Sequence, residues 1–249
     1  MPDLTITRPS AAQGLVWVRQ GWELFKRTPV PWAGMTALVF LLLMGVAALP
    51  VVGGWVIHIL SPFIVAGFLA ASRAAQQGEL VTFLYLGAGL RAGGDSLLRI
   101  GLIYMMANLL LFRLVAMVAG ADLGAIMVQM EHPRQLSPDE ASALLRDFFP
   151  ILGLGTVVMV PLLMATWFSP ALAHFEGFRP IRAMWWSLWV CAVNWRPMLV
   201  YSAILGLVGI AALLIPLGLG LLFFIPWTLT STYAAYRDMF VTTGPGVDA

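Results

Sequence analysis

The longest uncharged stretch constrains the fold of this chain more than any other feature. Forty-five consecutive residues, from Thr28 to Ser72, contain no Asp, Glu, Lys or Arg. One crossing of a lipid bilayer takes ~20 apolar residues at ~1.5 Å of rise per residue. The stretch is therefore long enough for two membrane-spanning helices, with a turn predicted near Pro50. We predict a helical hairpin over residues 31–72, with both of its ends on the same side of a membrane.

The composition indicates a membrane protein and excludes several other classes. The chain is 60% hydrophobic and 10% charged, whereas soluble domains are about a quarter charged. The single cysteine, Cys191, excludes an intrachain disulfide and a cysteine zinc site. With a net charge of +2 and no dense basic patch, we expect no nucleic-acid partner. The first residues lack the apolar core of a signal peptide, so we expect the membrane segments themselves to direct insertion.

Two further hairpins are predicted after the first one. The second covers residues 100–175 and contains an acidic outer loop at 122–147. The third covers the uncharged run 197–236, which is again long enough for two crossings. The chain ends, residues 1–9 and 238–249, are predicted to be polar tails, the first of them mobile.

Amphipathic segments precede the hairpins, clearly before the first and the third and only weakly, in residues 79–95, before the second. In residues 13–27, one face is apolar and the opposite face is charged, at helical spacing. The apolar face consists of Leu15, Val18, Trp22 and Phe25. This segment is either a helix in the membrane interface or a lid packed on the helix bundle. Residues 181–195 are also interfacial in character. Tryptophan favours the headgroup level of a bilayer, so six tryptophans are predicted interfacial anchors: Trp17, Trp22, Trp185, Trp186, Trp189 and Trp195.

The distribution of basic residues predicts the orientation of the hairpins. If both termini are cytoplasmic, the predicted inner segments contain eleven basic residues and the outer loops contain two, Arg134 and Arg146. Basic residues favour cytoplasmic loops. The inner set is Arg8, Arg19, Lys26, Arg27, Arg73, Arg91, Arg99, Arg179, Arg182, Arg196 and Arg237. We therefore predict six crossings with both termini in the cytoplasm.

The three hairpins resemble one another. Pro62 precedes Arg73 by the same distance as Pro226 precedes Arg237, and a shorter copy runs from Pro170. The predicted fold is an all-α integral membrane protein whose six transmembrane helices form three parallel hairpin repeats, each preceded by an interfacial amphipathic segment. The alternative is that shared bilayer constraints produce similar inward helices without true repetition.

Two aromatic and proline motifs resemble a known group of proteins. They are GWxLFxRxPxPW at residues 21–32 and NWRP at residues 194–197. The pattern resembles an uncharacterised family of proteobacterial multi-pass inner-membrane proteins. More distantly, it is similar to the membrane region attached to some glycerophosphodiester phosphodiesterases. The resemblance implies a location in the bacterial cytoplasmic membrane and implies no catalytic residues.

Few polar groups lie inside the predicted crossings. Arg113 is the only formal charge there, and no Asp or Glu occurs in any of them. In the functional interpretation, Arg113 and Asn108 line a binding site for an anion or a lipid headgroup. In the structural interpretation, Arg113 forms an ion pair with Asp122 or Asp147. His58, in the second crossing, is a third ligand candidate, although an interhelical hydrogen bond is the commoner role.

No established catalytic or metal-binding motif is present, so we expect no cofactor and no metal. The favoured interpretation is a non-enzymatic membrane protein that binds a lipid or a partner protein. The alternative is a small-solute permease or channel with Arg113 lining the pathway. An enzyme would require His174, Glu176 and another polar group to converge in one pocket.

Overall fold

The computed structural model describes residues 3–50, 52–119 and 138–243. Almost all regular structure in this part of the chain is helical. The α-helices are α1 (Gln13–Phe25), α2 (Pro29–Ala47), α3 (Gly53–Gln76), α4 (Ala88–Arg91), α5 (Gly94–Ala119), α6 (Pro138–Trp167), α7 (Ser169–Phe175), α8 (Pro180–Val193), α9 (Trp195–Leu213) and α10 (Leu221–Met239). Two short 3₁₀ helices span Phe83–Gly87 and Pro216–Gly218, and two strands, β1 (Asp3–Ile6) and β2 (Phe240–Thr243), complete the described elements.

Five helical segments in the described part of the chain are long and apolar enough to cross a membrane. They are Pro29–Ala47, Gly53–Gln76, Gly94–Val115, Leu152–Phe175 and Trp195–Leu213. A helical, multi-pass membrane protein is thereby confirmed. The sixth predicted crossing corresponds to α10, which is 19 residues long but is not among the five. Its hydropathy is lowered by Arg237 and Asp238 near its end and by the hydroxyl side chains at positions 228, 230, 231 and 232.

The chain divides into two compact units. The first lies within Met1–Leu102 and Met164–Ala249, and the second is Ile103–Leu163. The second unit contains most of α5 and α6. Residues 138–147 of its predicted outer loop, 122–147, are helical, because α6 begins at Pro138 and continues to Trp167. A proline at the first helical position is already set to the helical φ angle, which explains this start. The rest of that loop, up to residue 137, lies outside the described residues.

Helix α1 packs against α9 and α10 of the first unit through its glycines. A methyl group on Gly14 would lie 2.5 Å from the carbonyl oxygen of Pro197, so the two backbones are in direct contact. Trp227 Nε1–H donates to the Val18 carbonyl at 2.9 Å. Leu15, predicted on the apolar face, is 58% exposed instead. The packing on α9 and α10 is what the lid interpretation expects, and Leu15 and Trp22 stay exposed on the same helix.

The two ends of the described chain form an antiparallel pair of strands. Residues 3–6 pair with 240–243 in the register Asp3 with Thr243 to Ile6 with Phe240. The backbone N–H of Thr7 then donates to the Met239 carbonyl at 3.2 Å. The first tail is therefore tied to the end of α10, in contrast to the mobile tail that was expected. Threonine, isoleucine, valine and phenylalanine favour strands, but strands of four residues leave a weak signal in the sequence.

Cys191 lies in the core of the first unit. Its side chain is 1% exposed, and its thiol donates to the Met164 carbonyl at 3.7 Å. Burial raises the pKa of the Cys191 thiol to about 12. Because only the thiolate reacts readily with electrophiles, the residue is protected in two ways, by its enclosure and by its protonation.

We expect N-ethylmaleimide to leave Cys191 unmodified in native membranes near neutral pH. After unfolding in sodium dodecyl sulfate, the protein should gain one adduct per chain, since it has one cysteine. Intact-mass measurement gives both results. A matched control carries Ala192→Cys in a Cys191→Ala background, because Ala192 is exposed on the same helix. Rapid stoichiometric labelling of Cys191 in membranes would contradict the packing described here.

Candidate functional site

A cleft lined largely by basic and polar residues lies between α1, the end of α3 and α10. Its volume is about 480 Å³. We call it the basic cleft, and its polar lining includes Arg19, Gln20, Glu23, Arg27, Tyr233 and Arg237. All of these residues belong to the first unit.

Helical spacing and close packing place these side chains together. Arg19 and Glu23 lie four residues apart on α1, and Arg27 follows at the same spacing just after the helix ends, so the three lie on one side. On α10, Tyr233 and Arg237 are likewise four residues apart. The two helices are joined directly, because the Thr230 hydroxyl donates to the Gly21 carbonyl at 2.9 Å. The polar side of each helix therefore borders the same cleft.

The cleft contains an excess of positive charge. Glu23 forms an ion pair with Lys26 at 2.7 Å, and this hydrogen bond lowers the pKa of Glu23. Among the residues that the structure describes, neither Arg19, Arg27 nor Arg237 forms an ion pair. Three guanidinium groups thus border a cavity whose one carboxylate already has a partner. Such an arrangement favours an anion with several oxygen acceptors.

The ligand candidates predicted inside the membrane lie elsewhere. Asn108 donates to the Tyr104 carbonyl of its own helix at 2.9 Å, and His58 Nδ1 lies 2.7 Å from the Gly54 carbonyl. Asn108 also lines an apolar groove of about 500 Å³ within the second unit, and the lining does not include Arg113. Arg113 is exposed on α5.

Among the described residues, the groove that Asn108 lines therefore does not include Arg113. Asp122 and Asp147 were the acidic partners considered for Arg113. Asp122 lies outside the residues that the structure describes, and so does the side chain of Asp147. A pathway role for Arg113 stays a prediction.

The six tryptophan anchors divide into two groups. Trp17 is 0% exposed and belongs to the core, so it does not occupy the interfacial position that was expected. Trp186 is partly buried and packs on the same core. The other four are exposed by 41% or more of their surface and remain candidates for the interface: Trp22, Trp185, Trp189 and Trp195.

A second polar cavity, of about 280 Å³, lies beside the end of α3. We call it the mixed-charge pocket; Arg73, Gln77, Glu79, Tyr85, His174 and Phe175 line it. Glu176 is absent from that lining, and its carboxylate accepts a hydrogen bond from the Tyr236 hydroxyl at 2.8 Å. The structure thus does not bring His174 and Glu176 into one pocket. In the described part of the chain, no group of three His, Cys, Asp or Glu residues is arranged to hold a metal ion.

The sequence had identified Arg19, Arg27 and Arg237 as orientation signals, and Arg237 also as the end of a repeat, but none of them as a ligand candidate; Glu79 and Tyr85 were not singled out. The sequence does contain one hint for each site. Arg19 and Arg27 repeat at helical spacing opposite the buried side of α1, and Gly78 directly follows a long helix. A glycine in that position commonly ends a helix and turns the chain back.

Comparison with known proteins gives one informative relative. The chain is 31% identical to a Burkholderia thailandensis protein named "Probable inner membrane protein" over an alignment 258 positions long. The alignment covers 95% of this chain and 94% of the relative. No family model matches, and no solved structure matches. These comparisons lend no support to the more distant phosphodiesterase resemblance. The chain, a multi-pass helical membrane protein, belongs to the family of that inner-membrane protein.

Proposed function

We propose that this protein is a non-enzymatic membrane protein that binds the headgroup of an anionic lipid in the basic cleft. The observation that carries the proposal is the set of three guanidinium groups, Arg19, Arg27 and Arg237, which border one cavity without forming ion pairs among the described residues. Glu23 is the carboxylate in the lining and interacts with Arg19 and Arg27 only at longer range, so an anionic ligand would add direct partners and stabilise the arrangement.

The chemistry of the cleft suits a phosphate group. Arginine presents planar, paired donors that match two phosphate oxygens. The Gln20 amide and the Tyr233 hydroxyl add neutral hydrogen-bonding groups to the lining. Leu15 and Trp22, which are 58% and 41% exposed on the same helix, supply apolar surface for the acyl region of a lipid. Basic pockets on the cytoplasmic side of membrane proteins bind anionic lipid headgroups in this way.

The proposed orientation places the cleft at the inner surface of the membrane. Arg73 at the end of α3 and Arg237 at the end of α10 close two hairpins, and each belongs to the predicted cytoplasmic set. We propose six crossings, with α10 as the sixth and both termini cytoplasmic, because basic residues concentrate at these helix ends. The cytoplasmic leaflet carries anionic lipids, so the proposed ligand would be present at that depth.

The proposal includes the repeat. Helices α1, α2 and α3 follow one another in the order of an amphipathic helix, an outward helix and an inward helix with an internal proline, Pro62. Helices α8, α9 and α10 follow the same order, with Pro226 in the last. The basic cleft would then lie where the first amphipathic helix meets the inward helix of the last repeat.

Titration with phosphatidylglycerol in a neutral detergent tests the proposal. We expect Arg19→Gln and Arg237→Gln each to weaken binding about tenfold, because a hydrogen bond to a charged partner contributes about 1.5–3 kcal/mol. The matched control is Arg91→Gln, which removes an exposed arginine outside the cleft. Equal affinity in the two cleft variants and in the control would overturn the proposed site.

A further inference from the structure

We propose that the mixed-charge pocket is a separate binding site for a phosphoethanolamine group, a small zwitterion with an ammonium at one end and a phosphate at the other. The proposal rests on two opposite charges, Arg73 and Glu79, which line one cavity of about 280 Å³ and form no ion pair with each other. A zwitterion of this kind would give each charge its partner.

Glu79 is held in place by the turn that ends α3. Gly78 has a φ of +84°, a left-handed conformation that glycine adopts without a steric penalty. The N–H of Glu79 bonds to the Ala74 carbonyl at 2.9 Å, and the N–H of Gly78 bonds to the Ala75 carbonyl at 3.2 Å. This pair of bonds is the Schellman motif. It turns the chain back, so that Glu79 lies beside the last turn of α3.

The position is electrostatically unfavourable for a carboxylate. The C-terminal end of a helix carries partial negative charge and favours cations. Glu79 nevertheless follows that end directly and, among the described residues, has no cationic partner. One of its oxygens accepts a hydrogen bond from the Tyr85 hydroxyl at 2.9 Å, which raises the pKa of Tyr85. The remaining lone pairs of the carboxylate are free to accept bonds from an ammonium group.

Tyr85 is itself fixed by backbone packing. A methyl group on Gly67 of α3 would lie 2.9 Å from the Tyr85 carbonyl oxygen, so the 3₁₀ segment that carries Tyr85 lies directly on α3. Tyr85 thus orients Glu79 from a rigid support. Preorganisation of this kind reduces the entropy that binding must cost.

The other side of the pocket provides donors for a phosphate. The guanidinium group of Arg73 lies 5.3 Å from the centre of the Phe175 ring, an arrangement that orients it without neutralising its charge. The amide of Gln77, one helical turn further on, is also part of the lining. Together they present an arginine fork and a neutral donor to an anion.

His174 completes the pocket. Its Nδ1 lies 2.9 Å from the Ala92 carbonyl oxygen. A carbonyl can only accept, so Nδ1 carries the proton, and in the neutral ring Nε2 is an acceptor. A methyl group placed on Gly93 would lie 2.8 Å from the Ala173 carbonyl oxygen. The backbones at Gly93 and Ala173 are therefore in direct contact, which holds the Ala92 carbonyl close to His174. An ammonium therefore finds two acceptors at this pocket, Glu79 and His174.

The test uses the full-length protein in a neutral detergent and three probes: phosphatidylethanolamine, phosphatidylglycerol and free phosphoethanolamine. We expect phosphatidylethanolamine to bind, and Glu79→Gln and Arg73→Gln each to weaken that binding about tenfold or more. The matched controls are Asp95→Asn and Arg91→Gln, which neutralise exposed residues outside the pocket. Both controls should bind as the unchanged protein does.

The probes separate the two sources of the ligand. If free phosphoethanolamine competes at similar concentrations, the site takes a soluble zwitterion; if only the diacyl lipid binds, the site takes a membrane headgroup. Either result supports the proposal. A Glu79→Gln variant that binds phosphatidylethanolamine with unchanged affinity overturns it, and so does a loss confined to Arg73→Gln, since the pocket would then bind a plain anion.

Folding of each variant is checked by the protection of Cys191 from N-ethylmaleimide. Arg73→Lys, which keeps the positive charge but loses the fork, should bind more strongly than Arg73→Gln, and Glu79→Asp, which shortens the acid by one methylene, should reduce the binding. If Arg73→Lys binds no better than Arg73→Gln and Glu79→Asp binds as the unchanged protein does, and Cys191 remains protected in both variants, the assignment of charges in the pocket is wrong.

Discussion

Replacing Trp17 with alanine is expected to destabilise the protein by about 3–5 kcal/mol, the usual cost of removing a large buried aromatic side chain. Trp17 is 0% exposed. Its ring meets that of Tyr201 edge to face at 5.9 Å between centroids, and its Nε1–H donates to the Asp238 carboxylate at 2.8 Å. Alanine would remove the ring contact, open a cavity and leave the carboxylate without this donor.

Two further variants separate these contributions. Trp17→Phe keeps an aromatic ring but loses the bond to Asp238, so we expect a smaller loss of about 1–2 kcal/mol. Trp22→Ala changes a tryptophan on the same helix that is 41% exposed, and we expect less than about 1 kcal/mol. Thermal unfolding in detergent, monitored through the reactivity of Cys191, measures the stability of all three variants. Equal stability of Trp17→Ala and Trp22→Ala would show that Trp17 is not a core residue.

Replacing Gly21 with alanine is expected to cost more than about 3 kcal/mol, above the usual 1–3 kcal/mol of an overpacked core. The added methyl would lie 2.5 Å from both Cα and Cβ of Ser231. Because these atoms belong to the α10 backbone and its first side-chain carbon, no rotamer change relieves the clash. The two helices must separate, which also breaks the bond from Thr230 to the Gly21 carbonyl. Thermal unfolding in detergent measures the loss.

Gly206→Ala is the matched control for this prediction. Gly206 lies within α9, and a methyl group there would have no neighbour within 4 Å. Alanine has the higher helix propensity by about 1 kcal/mol, so this variant should be as stable as the unchanged protein or more so. If Gly21→Ala behaves in the same way, helices α1 and α10 are not in backbone contact.

The bilayer explains why the helical hairpins could be predicted. A crossing has a fixed minimum length and excludes charge, so the uncharged run around Pro50 and the one around Pro216 each indicate two helices. Within α1, the same reasoning could not decide which residues are buried. The tryptophan ring has an apolar body and a polar N–H, so it suits both a membrane interface and a protein core. Only the tertiary packing shows that Trp17 is buried and Trp22 is exposed.

Glycine explains a second difference. A periodicity argument assigns the apolar face of α1 to its large residues, such as Leu15, and gives no weight to Gly14 and Gly21. The observed contact is made through those glycines, because they let the backbones of α9 and α10 approach. Glycines at helical spacing, here Gly14 and Gly21, would have identified the buried side of α1. A glycine is more often interpreted as a sign of backbone flexibility.

The candidate sites were beyond the reach of local sequence patterns. Arg19 and Arg237 are separated by most of the chain, and no periodicity relates them. They meet because α1 packs on α10. Glu79 gave no motif at all, since its relation to Arg73 depends on the turn at Gly78 and on the packing of Tyr85 against α3. The charges were visible in the sequence, and their grouping required the fold.

Native mass spectrometry of the protein, released gently from its own membrane, is the sharpest test of lipid binding in the basic cleft. We expect an anionic phospholipid to survive extraction in stoichiometric amount, to be lost from the variant with both Arg19→Gln and Arg237→Gln, and to be retained by Arg91→Gln. A chain that carries no anionic lipid, or one that retains the lipid equally in the double variant, would contradict lipid binding in the basic cleft.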